Sequence, residues 1–312
     1  EWERRLIEGF IINRFRGEAA LLQDANRFLA EDTGKPVLSV VPFLDDINLP
    51  DEDSVSFKER GLAFTSGNRD DTVDIALIDL PHISNFTDVD PFRREPDVNL
   101  RVVNDATQLG TPDAVIIPGS KNTVADLNIL DAKGIATALK TLADARTTVI
   151  VGICGGLQML GRTIRDPHHV ESLRDEAHRG LGLLDLDTVM AAEKTLTLTE
   201  AHHMPSGCGV RGYEIHHGIT AFGDTENLFR DKDKRELGAS SRDGLIWGTY
   251  LHGIFDDDRF RRWFIDTLRE RHDMRPLGQV CASYDVDGAL DRLAAHVRAH
   301  TRMDRIYGIM GL

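Results

Sequence analysis

The sequence predicts an α/β protein built on a doubly wound parallel sheet. Three observations carry that expectation. The apolar runs VDIALIDL (73–80), AVIIPGS (114–120) and VIVGIC (149–154) read as strands buried on both faces. Helical patterns over 123–130 and 135–142 separate the last two, and strands spaced by helices of that length pair in parallel. Hydrophobic residues make up 41% and charged residues 28% of the 312, enough apolar side chain to fill the cores of two domains.

The elements follow in order. LIEGFIIN (6–13) is strand-like, and the segment after it places Leu21, Leu22, Ala25, Phe28 and Leu29 on one helical face. Gly34 and Pro36 end that helix, and VLSVVP (37–42) reads as a buried strand. This is a β-α-β unit, with parallel strands joined by a right-handed crossover. Residues 50–71 are acidic and without period, as a short helix plus linker would be. The second α/β pattern starts at Val73 and adds LRVVN (100–104) to the runs above. Beyond Gly180 the texture changes to DTVMAA, TLTLTEAHH and VRGYEIHHG, an expected antiparallel extension. GLIWGTYLHG (244–253) is one further strand, and 259–271 and 289–299 have the pattern of closing helices.

Composition removes several function classes. A formal charge of −14 leaves no basic surface for nucleic acid or an anionic membrane. No apolar run approaches the ~20 residues needed to span a bilayer. Three cysteines, at 154, 208 and 281, fit free thiols in a reducing compartment, so a cytoplasmic protein is expected.

VIVGICGGLQMLG (149–161) sets Cys154 among glycines, between a strand and a helix. That pattern has the geometry of a nucleophile elbow, whose sharp turn lifts the side chain above the sheet. The thiol is therefore expected to stand exposed. A helix starting at Gly155 points free N–H groups and its dipole at the sulfur, which favours thiolate. The Gly155 N–H is also placed to hold an oxyanion.

A thiol nucleophile needs a base. His252 ends the strand-like WGTYLHG (247–253), and carboxyl ends of parallel strands are where such sheets build sites. His216 and His217 in GYEIHHG are second choices. His168 with His169, and His202 with His203 near Cys208, lack the ligand spacing of a zinc site, so no metal is expected. PGSKNT (118–123) lacks the ending of a Walker loop. It reads either as a turn whose N–H groups near Gly119 and Ser120 supply the second oxyanion donor, or as an ordinary helix-capping turn. Arg261 and Arg262 read as surface charge, Asp256–Asp258 as a solvated helix start, and Cys208 and Cys281 as inert thiols.

IIPGSKNT, GICGGLQMLG, GYEIHHG and WGTYLHGIF, in this order and at this spacing, resemble the glutamine amidotransferase domain of cobyric acid synthase. GFIINRFRGE and the PDEDSV segment resemble the same family's synthetase domain. The resemblance implies a flavodoxin-like, class I amidotransferase domain over 68–312. Over 1–67 it implies the last β-α-β piece of a P-loop, dethiobiotin-synthetase-like domain. The implied reaction moves ammonia from L-glutamine to the b, d, e and g carboxylates of adenosylcobyrinic acid a,c-diamide. ATP and Mg²⁺ are its co-substrates, and no cofactor is tightly bound. By matching motifs, Cys154 would form a γ-glutamyl thioester and His252 would move the proton. Gly119, Ser120, Gly155 and Gln158 would hold the oxyanion and the glutamine, and Asn13 and Pro42 would border a nucleotide base.

Two departures stand out. Related amidotransferases carry a glutamate two residues after the histidine to orient it, and that position here is Ile254. Glu214 in GYEIHHG is a candidate substitute. The second departure is that no P-loop stands in these residues, so the chain is expected to carry glutaminase machinery without a complete ATP site, as a fragment or half of a split enzyme. Three alternatives stay open: a cobyrinic acid a,c-diamide synthase, the glutaminase partner of a peptidoglycan-precursor ligase, and a non-catalytic binding subunit of the same fold.

Overall fold

A computed structural model describes residues 2–45, 47, 49, 71–172 and 177–312. They group into two compact units, one of 1–50 with 285–312 and one of 51–284. The short helix and linker expected near 50–71, and the expected boundary at 67, fall outside the described residues.

In the first unit, strands β1 (Phe10–Phe15) and β2 (Val37–Pro42) pair in parallel, with helix α1 (Gln23–Thr33) between them. Gly34 closes α1 in the left-handed conformation, at φ 70°, and its N–H reaches the Ala30 carbonyl. The apolar face expected of this segment is incompletely covered, since Leu21 and Phe28 are exposed. The last 28 residues differ from the expected division. Helices Val286–Ala299 and Met303–Met310 belong with β1 and β2 rather than with the larger unit. Ser39 Oγ donates to the His300 carbonyl at 2.7 Å, and His296 Nε2 to the Pro42 carbonyl at 2.9 Å. Sequence periodicity shows that a helix is amphipathic, not which sheet it covers.

The larger unit starts with β3 (Val73–Ile78), followed by β4 (Ile83–Ser84) and a 3₁₀ segment over Phe86–Arg94. Strands β5 (Val98–Val103), β6 (Ala114–Ile117) and β7 (Gly119–Ser120) come next. Helices α2 (Thr123–Ala132) and α3 (Ile135–Ala145) precede β8 (Val149–Ile153) and the short α4 (Gly155–Leu160). The antiparallel part comprises β9 (Thr163–Arg165), β10 (His178–Arg179), β11 (Leu186–His203), β12 (Gly209–Phe222), β13 (Glu226–Asp231) and β14 (Glu236–Ser240). Strand β15 (Ile246–Thr249) and α5 (Asp258–Arg271) complete the unit.

Strands β5, β3, β6, β8 and β15 lie side by side in that order, all parallel. Numbered along the chain, that is 2-1-3-4-5, the flavodoxin-like form of the doubly wound sheet. The expected fold class therefore holds, and the antiparallel strands extend the sheet from β15 through β14 and β13 to β11. Ile75, Ile78, Val115, Ile116, Ile150, Val151 and Ile153 are all fully buried, because helices cover both faces of a parallel sheet. Hairpin strands β11 and β12 run alongside each other for most of their length and lean over the end of β8.

The 3₁₀ segment was not foreseen, and buried charge holds it down. Glu95, which closes it, accepts from Arg261 Nε at 2.7 Å, while Arg261 Nη1 donates to the Phe255 carbonyl. Arg262 pairs with Asp97 at 3.1 Å. Arg261 and Arg262 are thus buried, correcting the surface-charge reading; carboxylates distant in the chain make their burial tolerable. Asp257 does cap α5, accepting from the Phe260 N–H. Replacing Glu95 with alanine is expected to cost about 1.5–3 kcal/mol in urea unfolding, because it removes the buried partner of Arg261 Nε while Asp258 still holds Nη2.

Candidate active site

The carboxyl edge of the parallel sheet gathers the turns after β3, β6, β8 and β15. Cys154 follows β8 directly and has φ 52°, ψ −104°, a strained turn where only a sharp reversal fits. Its N–H is tied to the Thr249 carbonyl at 2.8 Å. The glycines after it are required by close approach. A Cβ on Gly156 would lie 2.0 Å from the Ile117 carbonyl oxygen, and one on Gly155 2.9 Å from the Ser120 nitrogen. The backbone of Gly155 therefore runs against that of Ser120, as an oxyanion site drawn from both turns needs. Contrary to expectation the thiol is buried, at 5% exposure. Hairpin strand β12 covers it, and Sγ donates to the Ile215 carbonyl at 3.8 Å.

His252 lies just past β15 and is fully buried. Its backbone forms a two-way bridge with Tyr213, whose ring stacks on the imidazole at 5.2 Å. The ring also rests against Gly119, where a Cβ would lie 3.0 Å from Cε1. The residue that orients His252 is Asp88, which sequence reasoning missed. His252 Nδ1 is 2.7 Å from Asp88 Oδ2, and Asp88 Oδ1 accepts from the Gly253 N–H at 2.8 Å. Asp88 is itself buried, at 3% exposure. On the other ring nitrogen, Asn85 Nδ2 is 3.1 Å from His252 Nε2. Burial alone would pull the imidazole below its ordinary range. The charge and hydrogen bond of Asp88, together with Cys154, outweigh burial and raise it.

Glu214 does not take the orienting role. It accepts from Thr199 Oγ1 at 2.8 Å and Arg235 Nη2 at 2.6 Å, with His216 beside it. Burial would raise its carboxyl, but the bonds from His216, Arg235 and Thr199 hold it down at about 2. The reason is strand geometry: neighbours in β12 point to opposite faces, so Tyr213 reaches His252 and Glu214 faces away. His216 stacks on Tyr250 at 3.9 Å, and His217 Nδ1 meets the Ala191 carbonyl, so neither second-choice histidine is the ring held at Asp88.

Gln158 lies one helical turn beyond Cys154, at 2% exposure. Its Oε1 accepts from Thr123 Oγ1 and its Nε2 donates to the Tyr250 hydroxyl. Ser120 Oγ donates to Asp126 at 2.6 Å, which stiffens the turn beside Gly119. Asn13 and Pro42 sit in the smaller unit at the carboxyl ends of β1 and β2. Asn13 is exposed and accepts from the Arg14 N–H, and Pro42 accepts from His296.

Together the larger unit's groups form a thiol, an imidazole facing it and a carboxylate behind the imidazole. That set can take a proton from sulfur and return it to a leaving group. Asp88 and Asn85 come from SNFTDVD, just after β4, where the only sequence signal is polar residues downstream of a buried strand.

A CobB/CobQ-like glutamine amidotransferase domain matches residues 74–260. A cobyric acid synthase of Nitratidesulfovibrio vulgaris is 47% identical over 100% of this chain and 64% of its own length. A bifunctional adenosylcobalamin biosynthesis protein, CobDQ, of Leptospira interrogans is 45% identical over 100% of the chain and 36% of its own. A cobyric acid synthase of Pelotomaculum thermopropionicum is 42% identical over 99% and 62%. The chain thus spans less than two thirds of these relatives. With the matched domain covering the sheet that carries Cys154, His252 and Asp88, the chain belongs to the CobB/CobQ-like glutamine amidotransferase family.

Proposed function

We propose that the chain hydrolyses L-glutamine and delivers ammonia for amidation of a corrinoid in cobalamin biosynthesis. The observation that carries this reading is the Cys154–His252–Asp88 constellation beside the Gly119–Ser120 and Gly155 turns. Cys154 Sγ attacks the glutamine carboxamide carbon while His252 takes the thiol proton at Nε2. Backbone N–H groups of Gly155 and the Gly119–Ser120 turn receive the oxyanion. The tetrahedral adduct collapses by breaking the C–N bond, and His252 protonates the departing ammonia. Water then attacks the γ-glutamyl thioester, returning the thiol and releasing glutamate. Asp88 balances the imidazolium in both halves, and Gln158 lines the glutamine site one turn from the sulfur.

The acceptor in this proposal is adenosylcobyrinic acid a,c-diamide, amidated at its b, d, e and g carboxylates. ATP with Mg²⁺ activates them in a synthetase part to which the first unit contributes, with Asn13 and Pro42 beside the nucleotide base. The names of the relatives above support that pathway. Among the described residues no helix is long and apolar enough to cross a membrane. The cytoplasmic placement we propose rests instead on the three free cysteines, which fit a reducing compartment. The test supplies amide-¹⁵N glutamine, ATP, Mg²⁺ and the a,c-diamide to the intact protein. Appearance of ¹⁵N in the corrinoid side-chain amides supports the reading. Glutamine left intact sinks the glutaminase assignment, and glutamate formation with an unlabelled corrinoid sinks the acceptor.

A further inference from the structure

Both nitrogens of the His252 ring are held by one four-residue stretch of chain. Asp88 takes Nδ1 and Asn85 takes Nε2, and the Asp88 N–H closes back on the Asn85 carbonyl at 3.0 Å. Asn85 stands at the head of the 3₁₀ segment with φ 50° and ψ 44°. Asparagine tolerates that left-handed conformation and at such a position ordinarily caps N–H groups two or three residues on. Here its side chain makes no capping bond. The amide is spent on the imidazole instead. The stretch is also anchored, because Ser84 pairs with Gly119 across β4 and β7.

That arrangement occupies the base. Nε2 of a neutral imidazole has one lone pair, and it is the lone pair that must take the Cys154 proton. Asn85 donates to that lone pair and Cys154 donates to the Ile215 carbonyl, so Asn85 competes for Nε2 with the Cys154 sulfur beside it. The group on Nε2 is moreover a primary carboxamide. When a carboxamide substrate is attacked by Cys154, its leaving nitrogen must come to Nε2 to be protonated. Asn85 Nδ2 stands in that place.

We infer that Asn85 is a positioning residue that mimics the substrate carboxamide at His252 Nε2 and competes with Cys154 for the base until glutamine displaces it. This rests on the reading of Cys154 and His252 as nucleophile and base. The groups that face the imidazole are Asp88, Cys154 at the head of α4 and Tyr213 of β12, with Asp256 adding its charge at Asp88 and Tyr213. Asp88 and the thiolate draw a proton onto the ring. The Asn85 N–H on Nε2 pulls the other way, so its removal shifts the pair toward thiolate and imidazolium.

The experiment follows modification of Cys154 in the intact, unliganded protein by methyl methanethiosulfonate, which carries no amide. Rates are read at the Cys154 peptide by mass spectrometry from pH 5 to 9. Asn85→Gly suits the left-handed backbone and removes the amide. It is expected to react about five- to tenfold faster at pH 7, the size of one lost hydrogen bond, with the acid limb at lower pH. Its KM for glutamine should fall about three- to tenfold, more than kcat changes. Asn85→Asp keeps the shape but places a carboxylate beside Nε2–H and the thiolate, so it should react more slowly, with the limb at higher pH. Unchanged or slower reaction in Asn85→Gly, or both variants moving the same way, overturns the inference. His252→Asn separates the two readings. If it leaves Cys154 modification untouched, the nucleophile–base reading itself fails. If it slows modification and Asn85→Gly does nothing, only the role of Asn85 fails.

Discussion

Cys154→Ala is expected to lower glutamine hydrolysis by about 10⁴-fold or more while leaving the fold intact. Without sulfur no thioester can form, and what survives is the weak catalysis of the oxyanion donors and binding alone, so losses of this order follow removal of a nucleophile. The fold should tolerate the change because alanine keeps the Cβ and pays the same strain at φ 52° that cysteine already pays. The tie from the residue 154 N–H to the Thr249 carbonyl is backbone and survives. The check is a glutamate-release assay beside a thermal melt; residual activity near the native level in a folded variant would refute the assignment. The glutamine-like electrophile diazo-oxo-norleucine should in turn label Cys154. An adduct on Cys208 or Cys281 would point to a different nucleophile.

Asp88→Asn is expected to lower kcat/KM by about 10³–10⁴-fold. The amide matches the carboxylate in shape, and one oxygen still accepts from the Gly253 N–H. Its NH₂, however, faces Nδ1, forcing that nitrogen to accept and moving the ring proton to Nε2, the wrong tautomer for a base. The charge that holds the imidazole up is lost as well, leaving burial to push it down. The alkaline limb of the rate profile, which follows loss of the imidazolium, should therefore move to lower pH. Stability changes with the same sign. In the native protein the raised imidazole contributes stability that is fully present below pH 6.5 and is lost as pH rises through its folded value. Asp88→Asn should flatten that alkaline loss in unfolding scans. A variant with native kcat/KM would show that His252 is oriented by something else.

Much of the site is legible along the chain because its signals are local. A nucleophile elbow needs small residues within a few positions of the sulfur, so Cys154, Gly155 and Gly156 announce one another. Gly119 and Ser120 follow a buried strand directly, and His252 ends one. The strand order adds nothing to these patterns except to bring them to one edge. The orienting carboxylate is different. Asp88 lies 164 residues from His252, and only the assembly of β3 and β15 into one sheet, with β6 and β8 between them, makes the two neighbours. The search two residues past the histidine found Ile254, while the carboxylate had been supplied from another strand end.

Other misreadings share that cause. Arg261 and Arg262 have the look of a solvated helix face until Glu95 and Asp97 arrive from more than 160 residues away. The last helices show an amphipathic pattern, yet only packing assigned them to β1 and β2. Even the thiol changed status, since β12 covers what the elbow had lifted out. By itself, then, the sequence determined the sheet class and set Cys154, its glycines and His252 at strand ends, because these rest on bonds and clearances within a few residues. Only the tertiary structure decided which carboxylate holds the imidazole, which amide occupies its other nitrogen and which charges are buried. Those outcomes depend on desolvation and on partners brought from remote positions, and neither is written in local spacing.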